Sequence, residues 1–267
     1  ILYLFIQMIR KPNILVSNDD GIEAPGLQRL VEQLKTFANV YVSAPYTQQS
    51  AVGHSITIFY PLRTYEHTKD GEFYGIAVEG TPADAVKIGV LYFFKDVKFD
   101  LVVSGINHGA NTAINIIYSG TVSAATEGTI LKIPSIAVSL TTFEKVDFIE
   151  PAKITSDIIK QMWEDDKINL HEGTLLNMNI PNIPIKDIKG VKITKQGKSY
   201  WEDGFEVRKD PHGKEYYWLT GKMVYRDDSN EFDVAAVKDN YISITPLHFD
   251  LTDYRTFEEI KDWKINL

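Results

Sequence analysis

Asn18, Asp19 and Asp20 follow directly on an apolar run in the stretch NILVSNDDGI, residues 13–22. Ile14, Leu15 and Val16 read as a strand buried on both faces. Two adjacent carboxylates at the end of such a strand repel each other and are poorly solvated. A divalent cation neutralises such a pair directly. Two other apolar runs also end in oxygen-bearing side chains. NVYVSAP, residues 39–45, leads to Thr47-Gln48-Gln49-Ser50, and DLVVSGIN, residues 100–107, supplies Ser104 and Asn107 and leads to His108, Gly109 and Asn111. Asp, Ser and Asn oxygens, without cysteine or clustered histidine, suit a hard ion such as Mg²⁺ or Mn²⁺ rather than a structural zinc. An ion that keeps open positions can hold a phosphate oxygen and activate a bound water. Tyr118-Ser119-Gly120-Thr121 puts small residues at a helix start. Exposed backbone N–H groups and the helix dipole make such a start an anion site.

Each feature has a plainer reading. Adjacent aspartates after a strand are often only a turn and a helix cap. The position of this pair, with an Asn- and Gly-rich loop after another buried strand, favours a site. Ser50 alone reads as a solvated loop serine, and Asn107 and Asn111 could be left-handed turn residues. His108 reads as a substrate-facing acid or base, or as a surface histidine. His54 comes near the site through its loop, whereas His67, His171 and His212 read as surface residues. The aromatic residues between 200 and 225 read as packing or an oligomer contact rather than base-stacking platforms.

The elements that must position these residues alternate. After the first strand, Leu27, Leu30, Val31, Leu34 and Phe37 stand at helical spacing, with Pro25 at the helix start. Residues 55–65 and 73–78 read as extended, in hairpin style. Thr81-Pro82-Ala83-Asp84 reads as a capped helix start, the helix running to about Phe94. Residues 119–132 read as a tight turn feeding a helix, 135–140 and 174–181 as strands, and 151–165 as the helix between them. Strands apolar on both faces, alternating with helices, imply a mostly parallel α/β sheet covered by helices. In such a sheet ligands sit beyond the carboxyl ends of the strands, so the polar clusters converge. From residue 191 the chain turns rich in Tyr, Trp and charge, with turn signals such as Asp210-Pro211-His212-Gly213, and reads as a β-hairpin arm followed by a short terminal helix. The expected division is an N-terminal extension (1–11), a core that carries the polar clusters (12–190) and a C-terminal extension with arm and terminal helix (191–267), whose aromatic residues serve packing or oligomerisation.

The 267 residues are 44% hydrophobic, enough for one large domain or one domain with an extension. There is no cysteine, hence no disulfide and no thiolate metal site or nucleophile, which fits a reducing compartment. Net charge is −8 and no Lys/Arg-rich run occurs, so a nucleic-acid polymer is not an expected partner. A small anion binds only where a local site overcomes the negative field. The opening ILYLFIQM is too short to span a bilayer and lacks the flanks of a signal peptide. It reads as an extension, with Met8 as the expected true start. No later stretch reads as a membrane span.

ILVSNDDGIEAPGL, SAPYTQQSAVGHSIT, GTPADAVK, DLVVSGINHGAN and YSGTVSAATEG, in this order and spacing, resemble the SurE family, the survival-protein-E nucleotidases. The similarity extends to GKEYYWLTG and YISITPL, spanning roughly residues 12–250. The resemblance implies a Rossmann-like fold with a projecting C-terminal β-hairpin, elements exchanged between subunits, and a dimer or tetramer. It implies a cytoplasmic enzyme that uses one Mg²⁺ or Mn²⁺ per subunit. Its substrates would be nucleoside 5′-monophosphates, with 3′-nucleotides and short polyphosphate besides. The family's metal ligands map onto Asp19, Asp20, Ser50 and Asn107, and its phosphate-side loop onto Ser119, Gly120 and Thr121. Asn18, Gly53, His54 and Asn111 are the remaining expected substrate contacts. Ala51 stands where the family often has glycine, and no family role carries over to His108.

The expected chemistry is hydrolysis of a phosphate monoester, with Asp19, Asp20 and Asn107 as catalytic residues. Metal-activated water is the favoured nucleophile, although an aspartate could also serve as base or nucleophile. A phospho-receiver module would need a phosphoacceptor Asp where DLVVSGIN offers Ser104 and Asn107. A dinucleotide-dependent oxidoreductase would need G-x-G-x-x-G where NDDGIEAPG stands. The third rival is a non-catalytic scaffold whose aromatic arm binds a partner.

Overall fold

A computed structural model describes residues 10–265, so residues 1–9 of the expected extension (1–11), with the expected start at Met8, lie outside the described residues. Strand β1 (Asn13–Ser17) lies in the middle of a nine-stranded sheet. The other strands are β2 (Asn39–Pro45), β3 (Arg63–Lys69), β4 (Glu72–Glu79), β5 (Leu101–His108), β6 (Ser135–Thr141), β7 (Thr174–Pro181), β8 (Val191–Ile193) and β11 (Ile242–His248). Their order is β3-β4-β2-β1-β5-β6-β7-β11-β8. From β4 through β7 all neighbours are parallel. Only β3 against β4 and β11 against β7 run antiparallel.

The period-two alternation of β1 sorts its side chains between two helical layers. Ile14 and Val16 meet α1 (Pro25–Leu34) and α5 (Ile149–Glu164) through Leu27, Leu30, Leu34 and Ile159. Leu15 meets α2 (Pro82–Ile88) and α4 (Gly120–Ile130) on the other face, through Val86 and Ala124. Both faces are covered, which is why these strands carry no polar alternation.

The chain leaves β1 outward to β2 and β4, then crosses back to place β5 on the other side of β1. This reversal opens a crevice beyond the carboxyl ends of β1 and β5. Their register, Ser17 opposite Ser104, brings Asn18–Asp20 and Asn107 to the same end.

Several expectations need correction. Residues 55–62 form no strand, and the hairpin pairs β3 with β4 instead. The Thr81 capping box forms as expected, but α2 ends at Ile88 and continues as a π-helical turn over Gly89–Phe93. There Gly89 lies against Ser43, with room for no Cβ: one would stand 2.8 Å from the Ser43 Cβ. A short helix α3 (Asn115–Tyr118) precedes α4. The stretch beyond residue 191 is more than β excursions. It contains α6 (Asp233–Lys238), and β8 and β11 join the central sheet. The hairpin of β9 (Tyr200–Lys209) and β10 (Glu215–Val224) stands apart as a two-stranded sheet, as expected of an arm. Helix α7 (Tyr254–Ile260) follows β11. Among the described residues no helix is long and apolar enough to cross a membrane.

Candidate active site

Leaving β1, the chain turns at Gly21, whose φ of +99° disfavours any side chain. Asn18 braces the turn by donating from Nδ2 to the Gly21 carbonyl at 2.9 Å. Asp19 is 7% exposed. Its Oδ1 accepts a short hydrogen bond from the Thr121 hydroxyl, and its carbonyl accepts from Gln49 N–H at 2.7 Å. Asp20 is half-buried, accepting from Gln48 Nε2 at 3.2 Å and from His108 N–H at 3.3 Å.

Burial pushes the Asp19 carboxyl up to about 6. The Thr121 hydroxyl opposes the rise and the charge of Asp20 adds to it. Burial raises Asp20 as well, against the His108 N–H. Among the described residues no lysine or arginine forms an ion pair with either carboxylate. The pair is therefore an uncompensated charge in a poorly solvated place.

Two loops that bond to the pair, through the Gln49 and His108 N–H groups, also carry neutral oxygens. The Asn107 Nδ2 donates to the Gly109 carbonyl at 2.8 Å, which leaves its Oδ1 for an outside partner. Ser50 is exposed and follows Gln49, whose N–H is tied to Asp19. No group of three or more His, Cys, Asp or Glu among the described residues could hold a metal. The donors here are two carboxylates with a hydroxyl and an amide oxygen, a set that fits a hard divalent ion.

Helix α4 begins against the carboxylates. Ser119 caps it, its Oγ accepting from Val122 N–H at 3.0 Å. At Gly120 an added Cβ would stand 2.7 Å from the Asp19 Cβ and 2.9 Å from its Oδ2. Glycine is thus the condition for the helix start to touch the acid. Thr121 supports Asp19 with its hydroxyl, and its backbone N–H also lowers the Asp19 pKa.

The family model described as Survival protein SurE matches residues 14–203. The chain belongs to the SurE family. It is 45% identical to the 5′-nucleotidase SurE of Petrotoga mobilis, over 94% of this chain and 98% of that protein. Against the 5′-nucleotidase SurE of Chlorobaculum tepidum it is 43% identical, over 95% of each. The crystal structure of the SurE protein from Aquifex aeolicus superposes with a TM-score of 0.81 at 43% identity, covering 94% of this chain and 98% of that one.

Three residues expected at the substrate have other partners in this SurE chain. Asn111 is buried, its Nδ2 donating to Ser139 Oγ at 2.9 Å. Its carbonyl accepts from Asn177 at 2.8 Å and Asn179 at 3.0 Å. The His54 Nε2 lies 3.1 Å from Oε2 of Glu127, a nearly buried carboxylate whose Oε1 is 2.5 Å from the Lys87 ammonium. Burial alone would push Glu127 up, but His54 and Lys87 outweigh it and hold the carboxyl below its usual range. Gly53 donates its N–H to the Tyr118 carbonyl at 3.1 Å. His108 turns its ring away, with Nε2 2.7 Å from the Glu144 carbonyl.

These contacts fasten the Ser50 loop to the SurE helices. Thr57 donates N–H and Oγ1 to Asp84 at 2.9 and 2.7 Å, and Thr81 Oγ1 donates to the Ser55 carbonyl at 2.7 Å. Sequence reasoning missed Glu127, Asn177 and Asn179 as supports. Asn177 and Asn179 carried a signal: two amides on one face of an otherwise apolar strand.

Proposed function

We propose that this chain is a metal-dependent 5′-nucleotidase, a phosphoric monoester hydrolase that converts nucleoside monophosphates to nucleoside and phosphate. The observation that carries the reading is the buried, uncompensated pair Asp19 and Asp20 facing the start of α4 at the reversal of strand order. The names of the curated relatives, at 43–45% identity over nearly the whole chain, support it.

Asp19, Asp20, Ser50 and Asn107 are the residues that would hold one Mg²⁺ or Mn²⁺. Such an ion would supply Lewis-acid chemistry there, polarising a phosphate oxygen and acidifying a bound water. Thr121 fixes the Asp19 carboxylate, and Gln48 with the His108 N–H fixes Asp20, so neither acid reorganises during reaction. The Gly120 N–H and the dipole at the start of α4 face the developing charge of the phosphoryl group, with Ser119 and Asn18 shaping the turns there. Burial of Asp19 and Thr121 strengthens the hydrogen bond between them. Asn111, Gly53 and His54 contribute through the loops they hold.

In this reading residues 12–190 form the catalytic core, and the arm and terminal helix within 191–267 serve a homodimer or homotetramer. The exposed apolar side chains of the arm and α7 support that assignment. The enzyme works in the cytoplasm and also takes 3′-nucleotides and short polyphosphate. The test is phosphate release from nucleoside monophosphates with and without EDTA. Metal-restored turnover is expected, and hydrolysis insensitive to chelator overturns the metal assignment.

A further inference from the structure

The run from Asn107 to Ser119 joins a residue assigned to the metal to the first residue of the phosphate-side loop. At its middle the turn at Ala113 is fully buried and has a φ of +49°, a left-handed conformation that disfavours a residue with a Cβ. Such a turn persists only where its surroundings hold it. Strands β6 and β7 hold the part before it, through Ser139, Asn177 and Asn179 on Asn111. The turn itself is held from the base of the arm. The Ala113 N–H donates to Asp233 Oδ2 at 3.0 Å, and its carbonyl accepts from Gln196 Nε2 at 3.0 Å. Trp201, on β9, donates its indole N–H to Asn115 Oδ1 at 2.7 Å, a third attachment to the same run.

Asp233 opens α6 and is fully buried. Burial pushes its carboxyl up, against the N–H groups of Ala113, Val234 and Gly197. The last two donate to Oδ1 at 2.7 and 2.9 Å. One side chain thus joins the run from the site, the chain entering the arm and the helix that follows the arm. Asp227 closes the base behind it, accepting from the Lys198 and Ser199 N–H groups at 2.9 and 3.1 Å and from the Ser199 hydroxyl at 2.7 Å. Both acids and the turn meet at Gly197. A Cβ there would stand 2.7 Å from Asp227 Oδ2, 2.8 Å from Asp233 Oδ1 and 3.3 Å from the Ala113 Cβ. A buried carboxylate is costly, and an apolar side chain would pack at lower cost. What the carboxylate adds is three directed hydrogen bonds that converge on one point.

We propose that Asp233 is a positioning residue for the hydrolysis. With Gln196 it sets the Ala113 turn, and so couples the base of the arm to the run between Asn107 and the start of α4. The proposal rests on the nucleotidase reading above. Asp233 acts only through the backbone it holds. The base of the arm thereby takes a part in turnover, distinct from the exposed apolar face farther out that is assigned to assembly.

The experiment compares the wild-type full chain with Gln196→Ala, with Asp233→Asn, and with Gln196→Ala combined with Ala113→Gly. It reads kcat and KM for AMP at saturating Mn²⁺, amide hydrogen exchange over residues 109–117, and Tm. Gln196 is exposed, so its loss threatens no packing. Gln196→Ala should lower kcat by roughly 5-fold with KM and Tm nearly unchanged, within what a displacement of under about 1 Å costs. Asp233→Asn keeps the shape but sets a donor against a backbone N–H, and should lower kcat by roughly 10-fold or more. Exchange over residues 109–117 should quicken in both. Glycine takes a φ near +49° without strain, so Ala113→Gly should restore most of the turnover lost in Gln196→Ala. Should Asp233→Asn fail to fold, Gln196→Ala decides alone. Unchanged kcat in the folded single variants overturns the positioning role, and so does a loss of kcat that appears only together with a fall in Tm. Either result leaves the nucleotidase reading intact, whereas a wild-type chain that hydrolyses no AMP overturns that reading itself.

Discussion

The crevice at the ends of β1 and β5 and the arm of β9 and β10 break the usual partition of residues in opposite ways. The crevice buries charge: Asp19 is 7% exposed and has no cationic partner among the described residues. The arm exposes apolar bulk: Phe205 is 69% and Trp218 56% exposed, and on α7 Tyr254 is 64% exposed. Buried charge and exposed apolar surface are both costly when the chain is alone. Each inversion marks a place that something outside the chain completes. The crevice asks for positive charge, the arm for apolar surface.

The largest expected effect breaks the crevice. Asp19→Asn or Asp20→Asn should lower nucleoside monophosphate hydrolysis by about 100-fold or more, while the thermal unfolding transition persists. An Asp20→Asn protein active at ordinary metal concentration would sink the assignment. Next comes Gly120→Ala. Its Cβ would press on the Asp19 Cβ from 2.7 Å, and an acid displaced by about 1 Å should cost up to about 100-fold in kcat. Unaltered kinetics in that variant would show that the contact between α4 and Asp19 is not needed.

A third test reads stability instead of turnover. Asp19 stands near 6 in the folded chain against 3.8 for the free side chain, so the folded state holds its proton more tightly. Without metal, folding stability contributed by this group is present below about pH 4 and is lost as pH rises to about 6, on the order of 3 kcal/mol. A cation competes with that proton. Saturating Mn²⁺ should therefore raise Tm more at pH 7.5 than at pH 5, measured against EDTA controls. Equal shifts at the two pH values would contradict the assignment of Asp19 as a ligand. The smallest effect on catalysis comes from the arm. Val207 and Tyr217 pair across its strands and are 52% and 60% exposed. Changing both to Ser should shift sedimentation toward the monomer with kcat nearly unchanged. An unshifted sedimentation profile would remove this face from the assembly.

What the sequence made legible follows from the range of each interaction. The β2 and β7 boundaries and the Thr81 cap are signalled by neighbouring residues, and all three form as the sequence predicts. The missed supports are long-range. Thr121 meets Asp19 across 102 positions, His54 meets Glu127 across 73, and Asn111 meets Asn179 across 68. No local pattern encodes such pairings. Gly89, the first residue of the π-helical turn after α2, packs on Ser43, again a distant neighbour. Ala51 stands at a φ of +55°, a left-handed conformation that a glycine suits better.

The hydrogen bonds on the carboxylates also have a consequence in time. Asp19 and Asp20 leave the ribosome early, but the groups that orient them, the His108 N–H and the Thr121 hydroxyl, come 88 and 102 positions later. A nascent chain carrying only β1 and β2 therefore has the acids without their orientation. Pairing of β1 with β5 is a non-local step and slow compared with helix formation. During refolding, recovered hydrolysis should lag recovered helix content, because catalysis begins only when the middle of the sheet has closed.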